Sequence, residues 1–264
     1  MVFNLRLALQ VLPLLQLSAM ANCHSDKSKT STTAQPTATA ACAPGYYLPE
    51  IGNFNLQLPY GSSNKDPKTV DGDDLTGCNG YQNTTWFYYD TAGGYMVMNA
   101  PPSSANCAMT SGSVHCRTEL REENPDSWSP KGTNTMTVKL AVPKADDGDY
   151  GTVIGQVFSA DYSKPVAELY YNPAGTLTVG LETTTSGGHE NFTVVGTVKE
   201  GTTFTYEWSY SNDVLSMSVN GGSPQIFETD QLGNPNSYFK VGDYNQGVDV
   251  YSQVNIYSIT IVHS

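Results

Sequence analysis

From Leu56 onward, apolar and polar side chains alternate in short runs, and Gly, Asn and Asp separate one run from the next. Met136, Val138, Leu140 and Val142 interleave with Thr135, Thr137, Lys139 and Ala141, a period of two that gives an extended chain one apolar face. Phe204, Tyr206, Trp208 and Tyr210 form a second ladder of the same kind. Thr85–Asp90 and Tyr95–Ala100 face each other across Ala92-Gly93-Gly94, and Leu215–Val219 runs into Asn220-Gly221; both patterns predict hairpins. About a dozen such strands, with no 3.6-residue period and no internal repeat, predict an all-β sandwich or jelly roll of two antiparallel sheets, built as one domain.

Composition narrows the class further. The 264 residues include 24 Gly, 15 Pro and 17 Tyr with only 14% charged side chains, which excludes a disordered or collagen-like chain and argues against helices. A formal charge of −12 argues against a general nucleic-acid binder, which needs a basic surface to displace counterions from phosphates.

Residues 1–21 carry Arg6, an apolar run from Leu7 to Leu17 and a closing Ala19-Met20-Ala21, the pattern of a secretory signal peptide. The run is interrupted by Pro13 and two Gln and is shorter than the ~20 apolar residues a bilayer requires, so no membrane partner is expected. Residues 22–44 read as a Ser/Thr/Ala/Pro-rich tail without a core, and 45–264 as the folded domain of a secreted, extracellular protein.

Export makes disulfides the default state of the cysteines. Cys107 and Cys116 flank a short Gly/Ser loop and are the preferred pair; Cys42 with Cys78 is the second, leaving Cys23. Asn83-Thr84-Thr85 and Asn191-Phe192-Thr193 are glycosylation sequons. No metal is expected: the cysteine and histidine spacings do not suit zinc, and Asp71-Gly72-Asp73-Asp74 and Asp146-Asp147-Gly148-Asp149 read as acidic turns.

Three strands carry polar faces. The only arginines after residue 21 are Arg117 and Arg121, which share a strand face with Glu119, while Thr118, Leu120 and Glu122 oppose them. Gln156 and Phe158 point together, with Val157 opposite. Tyr238, Lys240, Tyr244 and Gln246 lie on one face of the last segment, with Phe239 and Val241 on the other. Singly, each has a structural explanation: a cross-strand ion pair, a satisfied amide, a half-buried tyrosine.

Together, Arg117-Thr118-Glu119-Leu120-Arg121, then Gln156-Val157-Phe158, then Tyr238-Phe239-Lys240-Val241-Gly242-Asp243-Tyr244-Asn245-Gln246 resemble the three signature segments of the family seven alginate lyases. Asn53-Phe54-Asn55-Leu56-Gln57-Leu58-Pro59 is similar to that family's opening strand, and Ser163-Lys164-Pro165-Val166 to the segment after its Gln motif, so the resemblance spans residues 45–264. It implies a concanavalin-like β-jelly roll with an open substrate cleft. The chain resembles a fungal-like secreted member of that family, with one departure: Phe158 stands where the family usually has His.

The resemblance implies a secreted polysaccharide lyase that cleaves 4-linked polyuronate by β-elimination without a cofactor. Removing the C5 proton alpha to a carboxylate requires that charge to be neutralised, a role falling to Arg117 and Gln156, and Tyr244 would move the proton. Lys240 and Arg117 are the cations expected to favour a phenolate. Glu119, Arg121, Lys240, Phe158 and Gln246 are expected to contact substrate, and His115, two residues before Arg117, is a substitute base if its strand begins early enough. His189 sits in a loop that would reach at most a cleft rim.

Tyrosine alone serves a syn elimination, as mannuronate and glucuronate require, whereas guluronate needs a second base. Loss of the motif His therefore predicts a preference for mannuronate-rich alginate, with β-1,4-glucuronan as the alternative. The partner is an acidic polysaccharide, a monomer is expected, and the acidic body predicts modest affinity that weakens with salt. A glycoside hydrolase fits poorly, because Glu119 and Glu122 fall on opposite strand faces. A non-catalytic polysaccharide-binding protein is the remaining rival.

Overall fold

A computed structural model describes residues 41–264. Fifteen strands, numbered in chain order, form two antiparallel sheets. One follows the order β10 (Glu190–Thr197), β9 (Thr176–Glu182), β8 (Pro165–Tyr171), β7 (Thr152–Ser159), β14 (Ser237–Tyr244), β5 (Arg117–Glu122), β1 (Phe54–Ser63), β2 (Asp66–Val70). The other follows β13 (Gln225–Phe227), β12 (Val214–Val219), β11 (Phe204–Ser211), β6 (Asn134–Lys144), β15 (Ser252–His263), β4 (Tyr95–Ala100), β3 (Phe87–Asp90). This is the two-sheet jelly roll that the alternating pattern predicts. Among the described residues no helix is long and apolar enough to cross a membrane.

The core lies between the sheets. Met136, Val138, Leu140 and Val142 of β6 and Phe204, Tyr206, Trp208 and Tyr210 of β11 are buried against Leu120, Val157, Leu169, Phe239 and Val241 of the facing sheet. Core tyrosines satisfy their polar ends on backbone carbonyls: the Tyr206 hydroxyl donates to Ile154 at 2.9 Å and that of Tyr171 to Val198 at 2.8 Å. Glu122 is buried on the core side, yet it is not stranded, because its carboxylate accepts from Trp128 Nε1, the Phe239 amide and His263 Nε2.

Both predicted hairpins form. Asn220 and Gly221 take positive φ of 52° and 66° between β12 and β13, the backbone that a primed turn demands. The first hairpin begins at Phe87 rather than Thr85, because the Asn83 side chain accepts the Thr85 and Trp86 amides and holds them in a turn instead of a ladder. Cys107–Cys116 and Cys42–Cys78 are bonded as expected, with Cα separations of 6.0 and 4.2 Å. Residues 41–44, read above with the tail, belong to the packed domain: Ala43 is buried, its amide donates to the Cys78 carbonyl, and Pro44 opens a short helix, α1 (Pro44–Tyr47). The signal segment, the rest of the tail and Cys23 lie outside the described residues.

Candidate active site

Strand register brings the three polar faces together. β14 lies between β5 and β7, so Lys240 is opposite Arg121 on one side and Gln156 on the other, while Tyr244 is opposite Arg117. One extra residue on the β7 side, between Val241 and Tyr244, leaves the β5 register intact. Gly242 makes this possible: at φ 153° its missing Cβ would lie 2.5 Å from the Thr118 carbonyl oxygen. A cleft of about 670 Å³ crosses this sheet, and Arg117, Arg121, Gln156, Phe158, Lys240, Tyr244 and Gln246 all line it.

Glu119, expected to touch substrate, does not line the cleft. It is 3% exposed and lies beneath, where Oε2 accepts from Arg117 at 2.9 Å and from Lys240 at 3.5 Å and Oε1 accepts from Gln156 at 2.5 Å. Burial pushes its carboxyl up, but Lys240, Arg117 and the hydrogen bonds outweigh this and hold it below the usual carboxylate range. Glu119 is thus a positioning residue that fixes two cations and an amide at once. Gln156 spends one amide hydrogen on it and keeps the other.

The cation at Tyr244 is Arg117, whose guanidinium carbon lies 3.5 Å from the ring centroid. Lys240 is committed elsewhere, to Glu119 and to the face of Phe158, 4.1 Å from that centroid. Burial pushes the Tyr244 phenol above its ordinary value, with Arg117 pulling the other way, so the hydroxyl is neutral at rest. Ser113 Oγ lies 3.1 Å from it.

His115 is misplaced for the substitute-base role: β5 begins at Arg117, too late to carry it onto the cleft face, and it does not line the cleft. Its ring meets Tyr244 edge-on at 6.2 Å, and burial, reinforced by Arg117, lowers its pKa. His189 is exposed, and among the described residues no histidine lines the cleft. Phe158 lines the cleft with its ring 5.2 Å from that of Tyr238, over which the Arg121 guanidinium lies at 4.2 Å. Gln246 lies beyond the end of β14, its amide on the Tyr244 carbonyl at 3.2 Å. No group of three His, Cys, Asp or Glu side chains that could hold a metal occurs among the described residues.

The family model described as alginate lyase matches residues 49–263. The chain belongs to the alginate lyase family. It is a polysaccharide lyase, with activity on alginate. Among solved structures, the family 7 alginate lyase A1-II′, a Tyr-to-Phe variant in complex with product (GGG), aligns with a TM-score of 0.72 at 22% identity, covering 85% of this chain and 100% of its own. The alginate lyase AlgAT5 aligns at 0.67 with 25% identity over 84% and 99%. The alginate lyase from Corynebacterium sp. aligns at 0.69 with 22% identity over 86% and 100%. No curated protein matches the chain significantly.

Beyond the family's signature segments, the cleft of this alginate lyase family member contains residues the motif reading passed over. Ser113 comes from the loop closed by Cys107–Cys116 and has no distinguishing pattern in the sequence. Glu168, Tyr170 and Glu190 line the far wall. Glu168 did carry a signal: it is the one charged residue in Pro165–Tyr171, and it shares a strand face with Tyr170.

Proposed function

We propose that the chain is a secreted lyase that prefers mannuronate-rich alginate and works by syn elimination on Tyr244. The observation that carries this reading is the convergence of Arg117, Gln156 and Tyr244 on one cleft that Phe158 also lines and that no histidine among the described residues lines. Arg117 and the free amide hydrogen of Gln156 receive the uronate carboxylate, drawing off the charge that opposes carbanion formation. The C5–H proton passes to the Tyr244 oxygen, its electron pair becomes the C4=C5 double bond, and the C4–O bond breaks. The departing oxygen takes the proton from Tyr244, restoring the starting state. Taking the proton requires the phenolate, which Arg117 stabilises through the ring face, so kcat rises with pH on the alkaline side.

The test is ultraviolet absorbance of unsaturated uronate ends released from polymannuronate, polyguluronate and glucuronan. Polymannuronate is expected to be cut fastest; faster cutting of polyguluronate would overturn the syn assignment, and faster cutting of glucuronan would move the preference to that polymer. Tyr244→Phe is expected to lose about 10²-fold or more in kcat while retaining polymer affinity. Retained turnover in that variant would remove Tyr244 from the reaction.

A further inference from the structure

The far wall of the cleft presents an arrangement that a polyanion site should avoid. Glu168 on β8 is in register with Gln156 on β7, on the same face and in the same cleft, yet it is a carboxyl only 8% exposed. Its Oε2 lies 3.0 Å from the Tyr170 hydroxyl, and that hydroxyl lies equally 3.0 Å from Glu190 Oε2. A phenol has one proton to donate, so it can satisfy one carboxylate; the second contact holds only if that carboxyl brings a proton of its own. The fold makes room for this chain of three. Gly180 is the register partner of Glu168, and a Cβ there would lie 2.3 Å from Glu190 Oε1 and 2.9 Å from Tyr170 Cε2, so its absence is what lets Glu190 reach across β9.

Glu168 is the member that holds the extra proton. It is the more deeply buried carboxyl, faces Glu190 and Glu119, and receives only partial compensation from Arg117 and from Tyr170. Burial pushes it up to about 8, and burial of Glu190, with Glu182 beyond it, pushes that group to about 7. The Tyr170 phenol is raised as well. Lys240 and Tyr244 from β14 also feel the Glu168 charge. With Oε2–H donated to Tyr170, and the Tyr170 hydroxyl donated to Glu190, one Glu168 atom is unaccounted for: Oε1 is buried without a hydrogen-bond partner.

We propose that Glu168 is a substrate-binding residue that works as a neutral acid, its free Oε1 accepting a hydroxyl of the sugar whose carboxylate lies against Arg117 and Gln156. Tyr170 and Glu190 keep it neutral by sharing its proton. The consequence is a limit on affinity: once Glu168 ionises, a negative charge stands beside the sugar acid and repels it. This inference rests on the lyase reading for the place of the sugar carboxylate, but its test needs no turnover.

The experiment measures the dissociation constant for polymannuronate in Tyr244→Phe, which binds without cutting, from pH 6.5 to 8.5. Binding is expected to weaken about tenfold across that interval. Adding Glu168→Gln, which preserves shape and cannot ionise, is expected to abolish the rise, while adding Glu190→Gln removes a negative charge that raises Glu168 and is expected to bring the rise to lower pH.

 A delay to higher pH would mean that Glu190 does not act on Glu168 through its charge.

The outcomes are decisive in each case. The same pH-dependent loss in the Glu168→Gln background overturns the proposal, as does a parent curve that stays flat, an onset in Glu190→Gln that does not move to lower pH, or no binding at pH 6.5. Lys240, whose ammonium burial pulls down, is held up chiefly by Glu119 and to a smaller extent by Glu168, so any loss of binding from Lys240 would come earlier in Glu168→Gln than in the parent, and a flat curve in that variant assigns the rise to Glu168. Failure of the lyase reading is distinct: the wild-type chain would release no unsaturated ends from any polyuronate while Tyr244→Phe still bound the polymer.

Discussion

Glu119 shows how one side chain organises the cleft. Its two oxygens hold Arg117, Lys240 and Gln156, so the groups that meet a sugar acid are fixed before it arrives. Phe158 shows the opposite economy: in the cleft wall an apolar ring, which cannot accept a proton, supports the Lys240 ammonium and packs on Tyr238. Phe158→His is therefore expected to add what anti elimination lacks, a base on the face opposite Tyr244. The rate on polyguluronate should rise by about 10²-fold relative to that on polymannuronate. Release of unsaturated ends from the two polymers checks this, and an unchanged ratio would mean that Phe158 does not set the stereochemistry.

At the scale of elements, the loop between Cys107 and Cys116 delivers Ser113 to Tyr244, and the disulfide ties that loop to the residue preceding Arg117. The Ser113 hydrogen bond favours the phenolate. Replacing both cysteines by alanine should cost about 2–3 kcal/mol of stability and lower kcat. It should also move the alkaline rise of kcat to higher pH, because a phenol that loses a donor to its anion ionises less readily. A kcat–pH profile beside thermal melting checks both; removing Cys42–Cys78 in the same way should leave that profile in place. The elements themselves were legible because each half-buried strand writes its two faces as alternation, which is why β6, β11 and the polar faces of β5, β7 and β14 can be read directly. The contact of Glu168 and Tyr170 with Glu190 was not, because it depends on which strands are neighbours and on the gap at Gly180. Neither is written in local spacing. His115 failed for a related reason: its face depended on where β5 starts, and strand ends are set by tertiary contacts.

The molecule as a whole carries a formal charge of −12 and takes a polyanion. Arg117, Arg121, Lys164 and Lys240 all line the cleft, so attraction is short-ranged and local while repulsion from the acidic body is long-ranged. Salt acts on the two ranges differently. At about 10 mM ionic strength the screening length is roughly 30 Å and the whole body opposes approach; at about 100 mM it is roughly 10 Å, and mainly the cleft charges are felt. We expect kcat/KM on polymannuronate to rise as NaCl increases to about 0.1 M and to fall again toward 1 M, where contacts with Arg117 and Lys240 are themselves screened. A short mannuronate oligomer, with few charges to be repelled, should show only the fall. A polymer curve that declines from the lowest salt would mean that the cleft's field already dominates at a distance, and that the acidic surface plays no part in substrate approach.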